Sequence, residues 1–182
     1  MFSKILILGL SALSIVSAIP TEQTAQNKPL KTPALYNIFQ PAAKGSPYLY
    51  KYLRVGPEEE TPLHMSDPIR FAPYQPMWWV RSVGEDEFTL EPYGNDWDGL
   101  RAAAYVPSPP DDPSLVIGSR DETLNSVWAI ESAGEDAWVV KVPGANSVWK
   151  STWNSTVNLA GADGTANEHW NFIYFGDHYH GP

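Results

Sequence analysis

Apolar and polar positions alternate along this chain in short runs, and turn residues separate one run from the next. Alternation with period two marks half-buried strands, while Gly or Pro interrupts nearly every window long enough for an amphipathic helix. The pattern predicts twelve strands and no helix: 35–40, 48–55, 69–73, 77–83, 87–92, 100–106, 114–117, 127–133, 137–142, 148–153, 156–160 and 169–175.

Three of these runs carry one signal. Gln75-Pro76-Met77-Trp78-Trp79-Val80, Asn125-Ser126-Val127-Trp128-Ala129-Ile130 and Asn167-Glu168-His169-Trp170-Asn171-Phe172 each read amide, two residues, Trp, one residue, large apolar residue. A Gly follows each at Gly84, Gly134 and Gly176, and the first two copies continue through Glu85-Asp86 and Glu135-Asp136 into a further strand. The strands at Tyr36-Asn37-Ile38, Phe88-Thr89-Leu90 and Trp138-Val139-Val140 also correspond, each with an aromatic and an aliphatic residue on one face. Twelve strands in three copies make four per repeat. A four-strand unit exposes an apolar face that it cannot bury alone, and three such units around a threefold axis bury those faces together. Trp78, Val80, Trp128, Ile130, Trp170 and Phe172 are then the expected core.

On these residues the chain resembles the β-trefoil proteins, from about Ala34 to Pro182. The amide-x-x-Trp-x-apolar signal is similar to a loosened Gln-x-Trp motif of the ricin-B-type lectins. The Gly, the acidic turn, the aromatic-x-aliphatic strand and Val148-Trp149 are closer to the mushroom inhibitors, the cospin-like serine protease inhibitors and the mycocypins. Two features depart from these families. The inhibitors as a group lack a secretion signal, and a lectin would place Gln where this chain has Pro76, Ser126 and Glu168. The resemblance implies an all-β fold, a β-trefoil of twelve strands in three pseudo-symmetric four-strand repeats, and a fungal source.

Lys4, the apolar stretch from Ile5 to Val16 and the small residues Ser17-Ala18 form the pattern of a secretory signal at 1–18, so a secreted, extracellular protein is expected. Residues 19–33 are polar and aperiodic and read as a flexible leader, leaving 34–182 as one domain. The chain has 12 Lys and Arg against 21 Asp and Glu, a formal charge of −9, which excludes nucleic acid and anionic membrane as expected partners. With no cysteine, stability must come from packing. Asn154-Ser155-Thr156 is an N-glycosylation sequon, and a monomer without cofactor is expected.

No nucleophile elbow, phosphate loop or zinc helix is present, so catalysis is not expected. The carboxylate pairs Glu85/Asp86 and Glu135/Asp136 occupy equivalent tight turns, which explains them without a glycosidase site. His169, Asp177, His178 and His180 with His64 have the chemistry of metal ligands, but a polar tail accounts for them and no metal is expected.

Two loops carry binding chemistry. The connection from Arg54 to His64, stiffened by Pro57 and Pro62, lies where cospin-like inhibitors carry a reactive loop. The resemblance therefore implies a secreted inhibitor entering a serine or cysteine protease cleft, with Arg54 or Lys51 as the primary residue. Against this, Arg54 could end a strand and pair with Glu58 to Glu60. The alternative partner is a glycan: Asp96, Trp97 and Asp98 on the Gly94–Gly99 loop combine an aromatic platform with hydroxyl-binding carboxylates, and Trp149 with Asn146 is the counterpart in the next repeat. A secreted interaction protein with neither activity is the third reading.

Overall fold

A computed structural model describes residues 29–42, 47–68, 76–107, 114–134, 136–152 and 155–177. The expected signal, most of the leader, the strand at 69–73, Gln75, Glu135, Asn154, His178 and His180 lie outside the described residues.

The strands are β1 (Ala34–Pro41), β2 (Tyr50–Arg54), β3 (His64–Ser66), β4 (Trp78–Gly84), β5 (Glu87–Pro92), β6 (Arg101–Tyr105), β7 (Leu115–Ser119), β8 (Trp128–Ser132), β9 (Trp138–Lys141), β10 (Ser147–Ser151), β11 (Val157–Gly161) and β12 (Asn171–Gly176). Two 3-10 turns, Asn95–Trp97 and Ala166–Glu168, are the only helical elements among the described residues. β1, β4, β5, β8 and β9 pair antiparallel in that order, and β12 returns to β1. A bridge between Trp138 and Trp170 joins β9 to β12, closing a six-stranded barrel that leaves no open edge there.

The hairpins β2–β3, β6–β7 and β10–β11 cap one end. They hold each other through bridges between Pro62 and Ile117, His64 and Thr156, and Asn158 and Leu115. Leu63, Val116 and Val157 are fully buried where the three hairpins meet, and Leu63 donates its N–H to the Val116 carbonyl at 2.7 Å. Six barrel strands and three capping hairpins constitute the β-trefoil that the resemblance implies.

The repeated Trp residues are its interior. Trp78, Trp128 and Trp170 are fully buried, and so are Val80 and, nearly, Ile130. A buried indole N–H needs an acceptor. Each finds it on the second strand of its own repeat: Trp78 donates to Leu53 O at 3.1 Å, Trp128 to Ala102 O at 2.9 Å and Trp170 to Trp149 O at 3.1 Å. The three bonds tie barrel to cap with threefold correspondence. Phe172 is only partly buried, standing edge-on to Tyr36 at 5.9 Å and Trp138 at 6.4 Å.

Asp86 and Asp136 both adopt positive φ, 56° and 53°, at the β4–β5 and β8–β9 turns. Short polar side chains tolerate that region, and a tight hairpin demands it, so both aspartates are turn residues.

Two sequence boundaries shift. The third strand is His64–Ser66, inside the segment read as a loop, because its partners are Leu53 and distant Ser155 rather than a sequence neighbour. At the N-terminus, Leu30 packs against the core, and the Tyr36 hydroxyl accepts from Lys31 N at 2.9 Å and donates to Lys31 O at 3.1 Å. The leader is therefore tied to the barrel from residue 30 onward.

Candidate functional site

Since Trp78 and Val80 point inward, Trp79 and Arg81 point outward from β4. Glu91 stands directly opposite Trp79 on β5. Arg81 lies 4.9 Å above the Trp79 ring and donates to Glu91 Oε2 at 2.9 Å, while Arg101 approaches Glu91 Oε1 at 3.6 Å. After β5 the chain turns through Gly94, whose φ of 141° a side chain would resist, into the 3-10 turn. Leu100, fully buried, anchors the far end of this loop and donates to Trp97 O at 2.9 Å. The result is a cavity of about 480 Å³ lined by Trp79, Arg81, Glu91, Tyr93, Trp97 and Asp98.

Arg120 fixes the loop from beneath. It donates Nε to Asp98 O at 2.9 Å and Nη2 to Asp96 O at 3.3 Å, and it meets Glu59 of the β2–β3 connection at 2.7 Å. Asp96 and Asp98 are exposed, whereas Trp97 is half-buried beside Gly94. Asp98 and Trp97 thus come together with three residues that composition alone did not single out, Trp79, Arg81 and Glu91. The signal was available, because a Trp following an inward Trp on a strand must face out. Trp149, expected as a second platform, is fully buried against Trp128 and Trp170 and serves the core instead.

The β2–β3 connection is braced at several points. Glu60 N donates to Gly118 O at 2.8 Å, and Glu58 to Glu60 are exposed at its tip. Arg54 lies at its base, paired with His64 in the ladder, half-buried, with Nη2 donating to Asp67 O at 3.4 Å. Burial pulls its guanidinium below the ordinary range and also lowers His64, with Arg54 adding to the effect on His64. The acid that pairs in this loop is Glu59, with Arg120 as partner. Lys51 is likewise half-buried and donates to Ser155 Oγ at 3.3 Å. Among the described residues, no three His, Asp or Glu side chains gather in a way that could hold a metal ion.

The threefold register gives the pocket two counterparts. Where Trp79 faces Glu91, Ala129 faces Lys141 and Asn171 faces Phe39. Beside the second pair, Glu131 and Lys141 close a salt bridge at 2.5 Å, reversing the charges of Arg81 and Glu91 and leaving no aromatic floor. The third position is apolar, with Ile173 beside Asn171.

No known family profile and no characterised protein sequence matches the chain. Solved structures do. A salivary protein of the Cysteine and Tryptophan-Rich family from Culex quiquefasciatus aligns at TM-score 0.56 and 12% identity, over 77% of this chain and 92% of its own. The designed threefold protein ThreeFoil aligns at 0.56 and 14%, over 76% and 97%. The BEL β-trefoil aligns at 0.56 and 12%, over 82% and 98%. At such identities the common property is architecture, and the chain is a β-trefoil protein.

Proposed function

We propose that this chain is a secreted carbohydrate-binding protein whose sugar lies in the cavity between β4, β5 and the Gly94–Gly99 loop. The observation that carries the reading is the convergence of Trp79, Tyr93 and Trp97 around the Glu91 carboxylate in one cavity. Sugars present apolar C–H faces that stack on aromatic rings, and paired hydroxyls that carboxylates and guanidinium groups bind directionally. Glu91, held between Arg81 and Arg101, is oriented before any ligand arrives, and Arg120 removes the loop's freedom in advance; both lower the ordering cost of binding.

Protease inhibition, implied by the family resemblance, gains less from the geometry. A primary residue must project from a loop tip, whereas Arg54 and Lys51 are half-buried and hydrogen-bonded, and the tip is acidic.

A glycan array followed by calorimetry on the mature protein tests the proposal. Binding of at least one glycan is expected, with affinity falling roughly tenfold or more in Trp97→Ala and Glu91→Gln. Absence of glycan binding would overturn it, as would binding that both variants retain. Inhibition of a trypsin-like protease that disappears in Arg54→Ala would favour the inhibitor reading instead.

A further inference from the structure

A cavity of about 810 Å³ lies at the third quasi-equivalent position, between β12, β1 and the strap at 29–33. Its size falls within the range of small-molecule sites, about 300 to 1,000 Å³. Phe39, Tyr50, Trp138 and Phe172 line it, with Asp136 at the rim and Lys31 at one end. Tyr50 is 42% exposed and stands edge-on to Phe39 at 4.9 Å, so its ring presents surface to the groove. Compared with the pocket on β4 and β5, the charged pair is gone: Phe39 stands in the position of Glu91, and Ile173 in that of Arg81.

One residue of its wall shows what the aromatic lining attracts. The Lys31 ammonium lies 4.4 Å above the Tyr174 ring and 4.0 Å from the Asp177 carboxylate. Asp177 offsets the Lys31 charge, aromatic faces carry negative potential, and the chain has a formal charge of −9, so the balance favours cations over anions. Apolar rings extending beyond Lys31 favour a cation attached to an aromatic or alkyl body.

We infer that this groove is a binding site for an amphipathic organic cation, an aryl- or alkylammonium group whose body packs on Phe39, Tyr50 and Phe172 while its charge lies near Asp136. It is separate from the sugar pocket and does not depend on that reading. Asn171, which donates to the Asp136 backbone carbonyl, holds the rim in place.

Phenethylammonium and the similarly sized anion 3-phenylpropionate, titrated in parallel by protein-observed NMR, provide the test. The cation is expected to bind in the millimolar range or tighter and to shift resonances of Tyr50 and Phe172, while the anion binds at least tenfold more weakly. Tyr50→Ala and Asp136→Asn should each weaken the cation several-fold; Asn is suited to the positive φ at 136, and the melting temperature reports that the fold is kept. Equal binding of both probes, binding of neither, or cation binding unchanged in both variants would overturn the inference. Self-association through Leu49, Tyr50 and Ile173 without cation binding would likewise show the face to be a protein contact.

Discussion

Arg120 and Glu59 meet through two hydrogen bonds, backbone N to Oε1 at 2.9 Å and Nη1 to Oε2 at 2.7 Å. The same guanidinium holds Asp96 and Asp98 by their carbonyls, so the connection between β2 and β3 is fastened to the loop that carries Trp97. The two loops read from the sequence as rival binding elements are one assembly. Arg120→Lys cannot reproduce the fork, since an ammonium is a point charge. It should lower glycan affinity several-fold in calorimetry while the melting temperature hardly moves, because these groups are exposed and exposed pairs contribute little to stability.

The Glu59 carboxyl is held below its ordinary 4.5, first by the Arg120 backbone N–H and then by the guanidinium. A depressed value means that the contact is complete above 4.5 and is lost only as pH falls through the lower, folded value. Affinity should therefore stay level from pH 7 down to 4.5 and fall only as the pH passes below that value. In Glu59→Gln that acid limb, measured by the same titration, should be reduced.

Two tryptophans separate core from site. Trp128 is fully buried with its indole N–H on Ala102 O, and Trp128→Ala should cost about 3 to 5 kcal/mol in urea unfolding. Trp79 faces outward, and Trp79→Ala should cost under about 1 kcal/mol while removing glycan binding. A large stability loss at Trp79 would place it in the core.

The threefold core was legible because a barrel requires the same inward residues at equivalent places: Trp78, Trp128 and Trp170 repeat together with their i+2 partners. β3 was not legible. It is three residues long, lies shortly after a run of three glutamates, and is held by Ser155 and Thr156, far away in sequence. The site was half legible. Gly94–Gly99 announces a rigid aromatic loop by composition, but the partnership of Trp79 with Glu91 depends on the register of the β4–β5 hairpin. Arg120 reaches the loop across the cap, a proximity that no local pattern encodes.

Glu168 is a buried carboxylate within the third Trp signal, only 1% exposed. It accepts from Asp163 N at 2.7 Å and Gly164 N at 3.0 Å, and pairs with Lys150 Nζ at 2.9 Å. Glu168→Ala would leave those amides without their acceptor and should cost about 3 kcal/mol, whereas Glu168→Gln, which keeps an acceptor oxygen, should cost less. Lys150 also bonds Asp163 at 2.8 Å; that contact, and then Thr165, hold the Asp163 carboxyl well below its ordinary 3.8. Its contribution is full above 3.8 and is lost as pH falls through the depressed value. Denaturant midpoints compared at pH 7 and pH 3 should show a smaller acid loss in Asp163→Asn than in the parent.

Tyr36 holds the strap with one hydroxyl. It is almost fully buried, and its oxygen both accepts from Lys31 N and donates to Lys31 O, so a single atom fixes the backbone of a segment that composition marks as flexible. Burial, only partly opposed by the Lys31 backbone N–H, raises the phenol above its ordinary 10.0. The contact is therefore fully present below 10.0 and is lost as pH rises through the higher, folded value. Tyr36→Phe keeps the ring packed against Phe172 and Tyr174 but removes both bonds. Opening of the strap should become more frequent while the barrel keeps its stability, because local and global unfolding are separate events. Trypsin should then cut after Lys31 several-fold faster in Tyr36→Phe than in the parent, with the same melting temperature. Equal cutting rates would mean that Leu30 and the Lys31–Tyr174 contact hold the strap without the hydroxyl.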